Sequence, residues 1–561
     1  MSNPNRIVVI GGTACGPKAA ARARRCDPGA KITIIEQGDD LSTATCGLPY
    51  FIAGVIKNED DMVARQPDFF EITMDMEVFT GTRATAINRQ AHTIEIDNRE
   101  TGKSTIEYDK LVIATGARPA VPNWEGKDLK GIFTLSNIPD ANAIRSRLAN
   151  PESKEVVIVG AGLIGLEMAE AFCARGLKVT VIEALGWPLP ALLDGEIGAQ
   201  VEKHLRSKGI NLLFGQRVSG FIGDKDNNVR KVVTGSGKIE TAMVLLSLGV
   251  KPNAGLAKDA GLDIGATGGI AVNEYLQTSD PAIYAGGDCV EVVNIVTGKK
   301  MLAPLGSTAN KHGRIIGTNV TGGSETFPGV AGTAIAKVFD INVGRTGLSE
   351  TQAREAGFDT VTSLVPTFEH ATYYPGSREI TIKLVADKAT GRLLGGQAVG
   401  PGDTAKRIDV LATALSFGAT AQDLANSDLA YAPPYNSALD PLHNAANVIR
   451  NKMAGLARGI SPAEVEKKLE SGEQFVLLDV RSRTEWDNMR IEGEQVKLIP
   501  LPELRRRLGE LPRDREIITF CRTSIRAYLA QRILDGAGFK NVKFMDGSLA
   551  AWPYRVVTGT K

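Results

Sequence analysis

Glu155-Val-Val-Ile-Val159, then Gly160-Ala-Gly162-Leu-Ile-Gly165, then a helical stretch through Arg175 and Lys178-Val-Thr-Val-Ile-Glu183 read as strand, glycine turn, helix and strand. The apolar runs are short and rich in Val and Ile, as in strands buried on both faces of a parallel sheet. Gly160 makes the tight turn, Gly162 lets backbone approach a pyrophosphate, and Gly165 allows close helix–strand packing. Free N–H groups and the dipole at the helix N-terminus favour that anion. Glu183 can accept hydrogen bonds from a ribose 2′-OH and repels a 2′-phosphate, and Ala184-Leu185 adds no cation. The unit is therefore read as an NADH site in preference to NADPH.

The same pattern stands at the start of the chain. Arg6-Ile-Val-Val-Ile10 is a strand, Gly11-Gly12-Thr13-Ala14-Cys15-Gly16 the turn, Pro17 to Cys26 a helix, and Lys31-Ile-Thr-Ile-Ile-Glu36 the next strand. Thr13 stands where a middle glycine is usual. Two later strings point to a flavin. One is Leu111-Val-Ile-Ala-Thr115-Gly116, a strand ending in a small turn. The other is Ile283-Tyr-Ala-Gly286-Gly287-Asp288, where Asp288 can bond a ribityl hydroxyl or one near the phosphate. Two such units predict two nucleotide-binding domains, one inserted in the other.

A chain of 561 residues has room for three or four domains. Lys+Arg 65 against Asp+Glu 64 argues against nucleic acid or an acidic membrane surface as the main partner. The N-terminus has one positive charge and an apolar run that leads into glycines, so it is no secretory signal, and no run of about 18 apolar residues predicts a membrane span. Six scattered cysteines without metal spacing suggest free thiols in the cytoplasm and no metal. Residues 330–445 alternate strand-like runs (Glu379 to Val385, Leu393 to Val399) with a helix from Lys406 to Phe417, an α+β texture; 447–460 reads as a connection. From Ser461 a capped helix, a strand Phe475-Val-Leu-Leu-Asp479 and a strand–loop–helix at Glu516 to Arg526 predict a small separate α/β domain.

Cys46 narrows the chemistry most. It sits in Ser42-Thr-Ala-Thr-Cys46-Gly47-Leu-Pro-Tyr50 with no second cysteine nearby. A lone thiol beside a flavin holds its half-reaction as a mixed disulfide, a sulfenic acid or a persulfide. Its thiolate is expected to be stabilised by a helix N-terminus and by charge transfer to oxidised flavin.

With these motifs in this order, residues 1 to about 446 resemble the pyridine nucleotide-disulfide oxidoreductases. The Ser-x-x-x-Cys-Gly-Leu-Pro-Tyr string is similar to that of coenzyme A disulfide reductases and the related NADH oxidases and peroxidases. The resemblance implies FAD held by Gly11, Gly12, Gly16, Glu36, Thr115, Gly116 and Asp288, and NADH held by Gly160, Gly162, Gly165 and Glu183. It also implies a homodimer whose C-terminal domain completes the partner's site. Tyr373-Tyr374-Pro375 and Tyr431-Ala-Pro-Pro-Tyr435 are similar to the family's paired tyrosine motifs, with Tyr374 and Tyr435 favoured as the acting phenols although neither motif singles one out. Family contacts to coenzyme A, as substrate or tightly bound, map onto Arg22, Ser42, Asn310 and Arg314.

Cys521-Arg-Thr-Ser-Ile-Arg526 follows a strand and opens a helix, and resembles the rhodanese active loop. Successive N–H groups in such a loop cradle an anion and stabilise a persulfide on Cys521, with Arg526 closing the loop. Asp479-Val-Arg481, Glu485-Trp486 and Gly547 to Trp552 also fit rhodanese; Gly-Ser in place of the commoner double glycine, and Arg490-Ile where many members have His-Ile, depart from it. The expected fold is thus α/β: an FAD domain (1–120 and 255–325), an NAD domain (121–254), an α+β dimerisation domain (326–446), a linker (447–460) and a rhodanese domain (461–558). The expected activity is NADH-driven reduction of persulfides or polysulfides at Cys46, with Cys521 as sulfur carrier. Three readings stay open beside it: coenzyme A disulfide reduction for thiol homeostasis, an NADH oxidase or peroxidase, and a sulfurtransferase or redox sensor with a regulatory flavin domain.

Overall fold

The computed structural model describes residues 5–149 and 154–559. They fall into two compact units, one comprising the chain to Ala184 with Gly209–Val330, the other Leu185–Lys208 with the chain from Ala331.

In the first unit, five parallel strands run in the order Ile283–Ala285, Lys110–Ile113, Arg6–Ile10, Lys31–Ile35, Glu77–Phe79. A second parallel sheet runs Asn211–Leu213, Lys178–Ile182, Glu155–Val159, Val244–Leu246, Ile132–Phe133. Every strand of the second sheet lies in sequence between Ile113 and Ile283, so the second nucleotide-binding fold interrupts the first. The strand interiors are apolar because they are buried; in the second sheet Val157, Val159, Ile182, Val244 and Leu246 pack against the antiparallel strands Val218–Gly223 and Val229–Thr234. Ile7, Val9, Ile34, Leu111, Val112 and Ile113 are fully buried.

The two glycine turns share one geometry. Gly11 and Gly160 have φ of +108° and +105°, and a Cβ on either would lie 2.1 and 2.2 Å from a carbonyl oxygen of the neighbouring strand's exit, Ala114 and Ser247. No other residue fits there. The Thr13 departure leaves the turn intact, since Thr13 is exposed and the Gly12 N–H still reaches Glu36.

The second unit holds a five-stranded antiparallel sheet, Ala334–Val338, Ile341–Gly347, Leu393–Gly400, Glu379–Asp387, Thr360–Phe368, with helices Ala405–Ser416 and Pro441–Met453. It also holds a parallel sheet in the order Gly459–Ile460, Val542–Met545, Glu516–Phe520, Phe475–Asp479, Val496–Leu498. Successive residues of that sheet feed different cores. Leu478, Ile517 and Val542 pack on one face, and Leu477, Ile518 and Met545 on the other.

The 447–460 stretch is not the connection expected from sequence. The helix runs on to Met453, and Gly459–Ile460 is an edge strand paired with Val542–Met545. Lys452 closes the join, donating to the Thr362 carbonyl at 2.8 Å and to Asp546 at 2.7 Å. A pattern of Gly and Arg around an amphipathic helix end looks like linker because nothing local marks a two-residue strand.

Candidate active sites

Cys46 lies in a one-turn helix, Thr45–Gly47, that leads into the helix Leu48–Ala53, with Pro49 in its first turn. The backbone ahead of it is tied to the first glycine turn: the Ser42 N–H donates to the Gly12 carbonyl at 2.7 Å, with Ser42 at φ +53°. Behind it, Arg175 donates to the Ile52 carbonyl at 2.7 Å, and the Arg145 guanidinium stacks 4.0 Å from the Phe51 ring centre. Cys46 is exposed at its tip. Among the described residues every cysteine is free.

The electrostatics around Cys46 differ from the expectation. Desolvation by the surrounding protein, then the Glu167 and Asp288 carboxylates, push its thiol up, and bonds to Thr45 and to backbone recover only part of this. The six-residue helix after it offers little dipole to offset two acids. Glu167 stands on Leu163–Ala174, the helix opened by the second glycine turn, and its own carboxyl is pushed up to about 7 by burial and by Glu170. Sequence reading passed over Glu167. An acid just inside an otherwise apolar stretch, Leu163-Ile-Gly-Leu-Glu167-Met, was the available signal. Below pH 7 Glu167 is neutral; above it, its charge opposes ionisation of Cys46. Glu167→Gln should lower the Cys46 pKa, raise its alkylation rate at pH 8 roughly threefold, and remove the inflection near pH 7 from the alkylation profile. An unchanged profile would show that the two groups do not communicate.

Both strand-end acids bond backbone N–H groups of the turns. Glu36 accepts from the N–H groups of Gly12 at 2.6 Å and Gly38 at 2.7 Å, and Glu183 accepts from Ala161 N–H at 2.9 Å. A carboxylate has four lone-pair sites and can accept a ribose hydroxyl beside such N–H groups. Thr115 and Asn253 bond each other twice, at 2.7 and 2.9 Å, which fixes the turn into Gly116. A Cβ at Gly116 or Gly162 would meet nothing within 4 Å, so both turns face open space that a ligand can fill. Burial pushes Asp288 up to about 6. A carboxylate so placed is suited to accept from a ribityl or ribose hydroxyl. These residues fit two dinucleotides.

Of the residues expected from sequence to contact coenzyme A, Arg22 and Arg314 come together: both face Glu325, at 3.8 and 3.9 Å, and Arg22 donates to Thr318 at 2.9 Å. Asn310 stands one turn before Arg314 and donates to the Gly306 carbonyl. The Ser42 backbone N–H donates to the Gly12 carbonyl.

In the second unit the tyrosines pair differently from the expectation. The hydroxyls of Tyr373 and Tyr431 lie 3.4 Å apart, which holds the proton on Tyr373 more tightly than usual. Tyr374 instead lies edge-on to His370, with its N–H closing a turn onto the Ala371 carbonyl, and Tyr435 is about as exposed as Tyr373.

Cys521 ends the strand Glu516–Phe520, is buried, and its N–H donates to Ser548 Oγ at 3.1 Å. Arg526 makes a two-point pair with Glu485 at 2.7 Å on both arms, which holds Glu485 down at about 2. Asp479 and Arg481 form a buried pair below the loop, and Arg522 pairs with Glu379.

Residues 5–313 match the family model described as pyridine nucleotide-disulphide oxidoreductase. The chain belongs to this family. Residues 333–443 match the family's dimerisation domain and 461–553 a rhodanese-like domain. The family uses FAD and NAD(P)H, and its members similar to this chain include enzymes named for polysulfide, persulfide or coenzyme A disulfide reduction and others named NADH oxidase. The chain is 40% identical over 451 residues to an NAD(P)H coenzyme A polysulfide/persulfide reductase of Pyrococcus horikoshii, covering 79% of this chain and 98% of that one. It is 31% identical over 439 residues to a coenzyme A disulfide reductase of Staphylococcus haemolyticus, covering 78% and 97%. A solved NAD-dependent persulfide reductase from A. fulgidus superposes with a TM-score of 0.93 at 45% identity, covering 98% of this chain and 100% of that one. No helix among the described residues is long and apolar enough to cross a membrane.

Proposed function

We propose that this protein is a cytoplasmic, homodimeric enzyme that uses NADH to reduce persulfides or polysulfides, coenzyme A persulfide foremost, and releases sulfide. The observation that carries this reading is a free, exposed cysteine, Cys46, beside a dinucleotide fold, in a chain that also carries both Cys521 and Arg526 of a rhodanese-like loop. Relatives named for persulfide, polysulfide and coenzyme A disulfide reduction support it. Glu183 supports NADH, and the Arg22–Arg314 pair suits the phosphates of coenzyme A.

In this reading the Cys46 thiolate attacks a persulfide R–S–SH. Attack on the inner sulfur forms Cys46–S–S–R and expels HS⁻. Attack on the outer sulfur forms Cys46–S–SH and expels RS⁻. When bound, FAD would relay two electrons from NADH, so that Cys46–S–S–R yields the Cys46 thiolate and RS⁻, and Cys46–S–SH yields the Cys46 thiolate and HS⁻. Tyr373 and Tyr431, contributed across the dimer, hydrogen-bond the departing thiolate. Tyr373→Phe or Tyr431→Phe should each lower kcat about 10- to 100-fold, and Tyr374→Phe or Tyr435→Phe less than about twofold; steady-state NADH oxidation decides, and the reverse order would reinstate the other pair.

The test of function is anaerobic NADH oxidation with coenzyme A persulfide, polysulfide and coenzyme A disulfide as separate acceptors, with sulfide measured. Fast sulfide release supports the proposal. Turnover on the disulfide alone would make this a thiol-homeostasis enzyme with a sulfurtransferase attached.

A further inference from the structure

Two serines beside Cys521 hold backbone conformations better suited to glycine. Ser524 has φ +81° and Ser548 φ +48°, and Ser548 follows Gly547 at φ +70°. A left-handed residue with a side chain is strained, and such strain persists where the side chain is needed. Ser548 is fully buried, and its hydroxyl oxygen accepts the Cys521 N–H at 3.1 Å. Its single proton has two acceptors in reach: the Met545 carbonyl at 3.2 Å and Cys521 Sγ at 3.9 Å. Ser524 Oγ also donates to that Met545 carbonyl, at 3.2 Å. The carbonyl is thus served without Ser548, and the Ser548 proton is free to turn to sulfur when sulfur carries charge.

Arg526 is held by both oxygens of Glu485, and Arg522 by Glu379, so each brings a partnered charge to the loop. Arg526 also interacts with the Cys521 side chain. Ser548 adds a neutral donor at the same sulfur, beside a guanidinium whose charge is already shared with Glu485.

We infer that Ser548 is a catalytic residue of the Cys521 site, its hydroxyl donating a hydrogen bond to the Cys521 sulfur in the anionic state that accepts sulfane sulfur. The assignment rests on the reading of Cys521 as sulfur carrier. It gives a use to a departure from the double-glycine pattern: glycine would relax the backbone but remove the donor.

The test uses the full-length, FAD-loaded protein with Ser548→Gly and Ser548→Ala. The Cys521 thiolate is titrated by absorbance at 240 nm, each protein read against the same background carrying Cys521→Ser, and thiosulfate-to-cyanide sulfur transfer is timed in parallel. The expected result is a titration midpoint about one pH unit higher in both variants and transfer about tenfold slower at pH 7, with Ser548→Gly melting at or above the wild-type temperature. A Ser548→Gly protein that titrates with the wild type overturns the inference, whatever its transfer rate. If the midpoint moves but neither protein transfers sulfur, the hydrogen bond stands and the sulfur-carrier reading fails.

Discussion

Cys46→Ser should cut NADH-driven sulfide release from coenzyme A persulfide by on the order of 10⁴-fold or more, while thiosulfate-to-cyanide transfer by Cys521 stays at its wild-type rate. The reason is bond-making capacity. A serine oxygen cannot form the S–S bond that stores the half-reaction, so removing this one sulfur stops the cycle and does not merely slow it. The fold itself should survive. Cys46 is exposed, and neighbouring backbone bonds, from Ala44 N–H to Met62 and from Gly47 N–H to Ala44, do not use the thiol. The variant separates the candidate functions cleanly. An NADH oxidase or peroxidase cycling through a sulfenic acid also dies with Cys46, but only with oxygen or peroxide as acceptor. A sulfurtransferase with a regulatory flavin domain keeps its main activity. Residual persulfide reduction near the wild-type rate would sink the scheme for Cys46. The complementary Cys521→Ser protein reports whether the rhodanese loop feeds the reductase: a loss with polysulfide but not with preformed coenzyme A persulfide places Cys521 upstream.

The architecture was legible because its signals are local and periodic. Val-rich strands and the acids Glu36 and Glu183, which bond glycine-turn N–H groups nearby in sequence, follow from local contacts; the carbonyls of Ala114 and Ser247 that bar a side chain at Gly11 and Gly160 are distant, but the glycines themselves stand in the local pattern. The anion loop from Cys521 to Arg526 was legible for the same reason. What escaped depends on distance in the chain. Glu167 acts on Cys46 from the helix of the other nucleotide-binding fold, a juxtaposition that no local pattern encodes. The choice between Tyr373 and Tyr374 turns on which ring a turn at Ala371 points toward Tyr431. Ser548 looked like a neutral loss of a glycine, and only its φ and its bond to the Cys521 N–H show otherwise. The edge strand Gly459–Ile460 is too short to carry a period.

Lys383→Met should be the most destabilising single substitution considered for this chain, costing about 3–5 kcal/mol. Lys383 lies on Glu379–Asp387 with 2% of its side chain exposed, and its ammonium touches Asp194 at 3.1 Å, Glu196 at 3.2 Å and Glu350 at 2.7 Å. Burial opposes the ammonium, but the three carboxylates outweigh it and raise its proton affinity above that of an ordinary lysine. Asp194 mirrors this: burial opposes its charge, yet Lys383, the Glu350 N–H and Gln397 together hold its carboxyl below the usual range. Met fills the volume of Lys383 but leaves buried carboxylates without their cation, and that uncompensated charge is the dominant loss. Adding Glu350→Gln to Lys383→Met should recover part of the stability, since it removes one of those charges. The pH dependence has a definite sign. The Asp194 contribution is complete above its unfolded pKa near 4 and fades as pH falls through the lower folded value. The Lys383 contribution is complete below its unfolded pKa near 10.4 and fades only as pH rises through the higher folded value. The stability gap between wild type and Lys383→Met should therefore be widest between about pH 5 and 10 and should narrow in acid. Thermal unfolding of both proteins across that range measures it, read on the transition of the unit that contains the cluster. A gap below about 1 kcal/mol at pH 7 would mean that Asp194, Glu196 and Glu350 find other partners or take up protons when the lysine is gone.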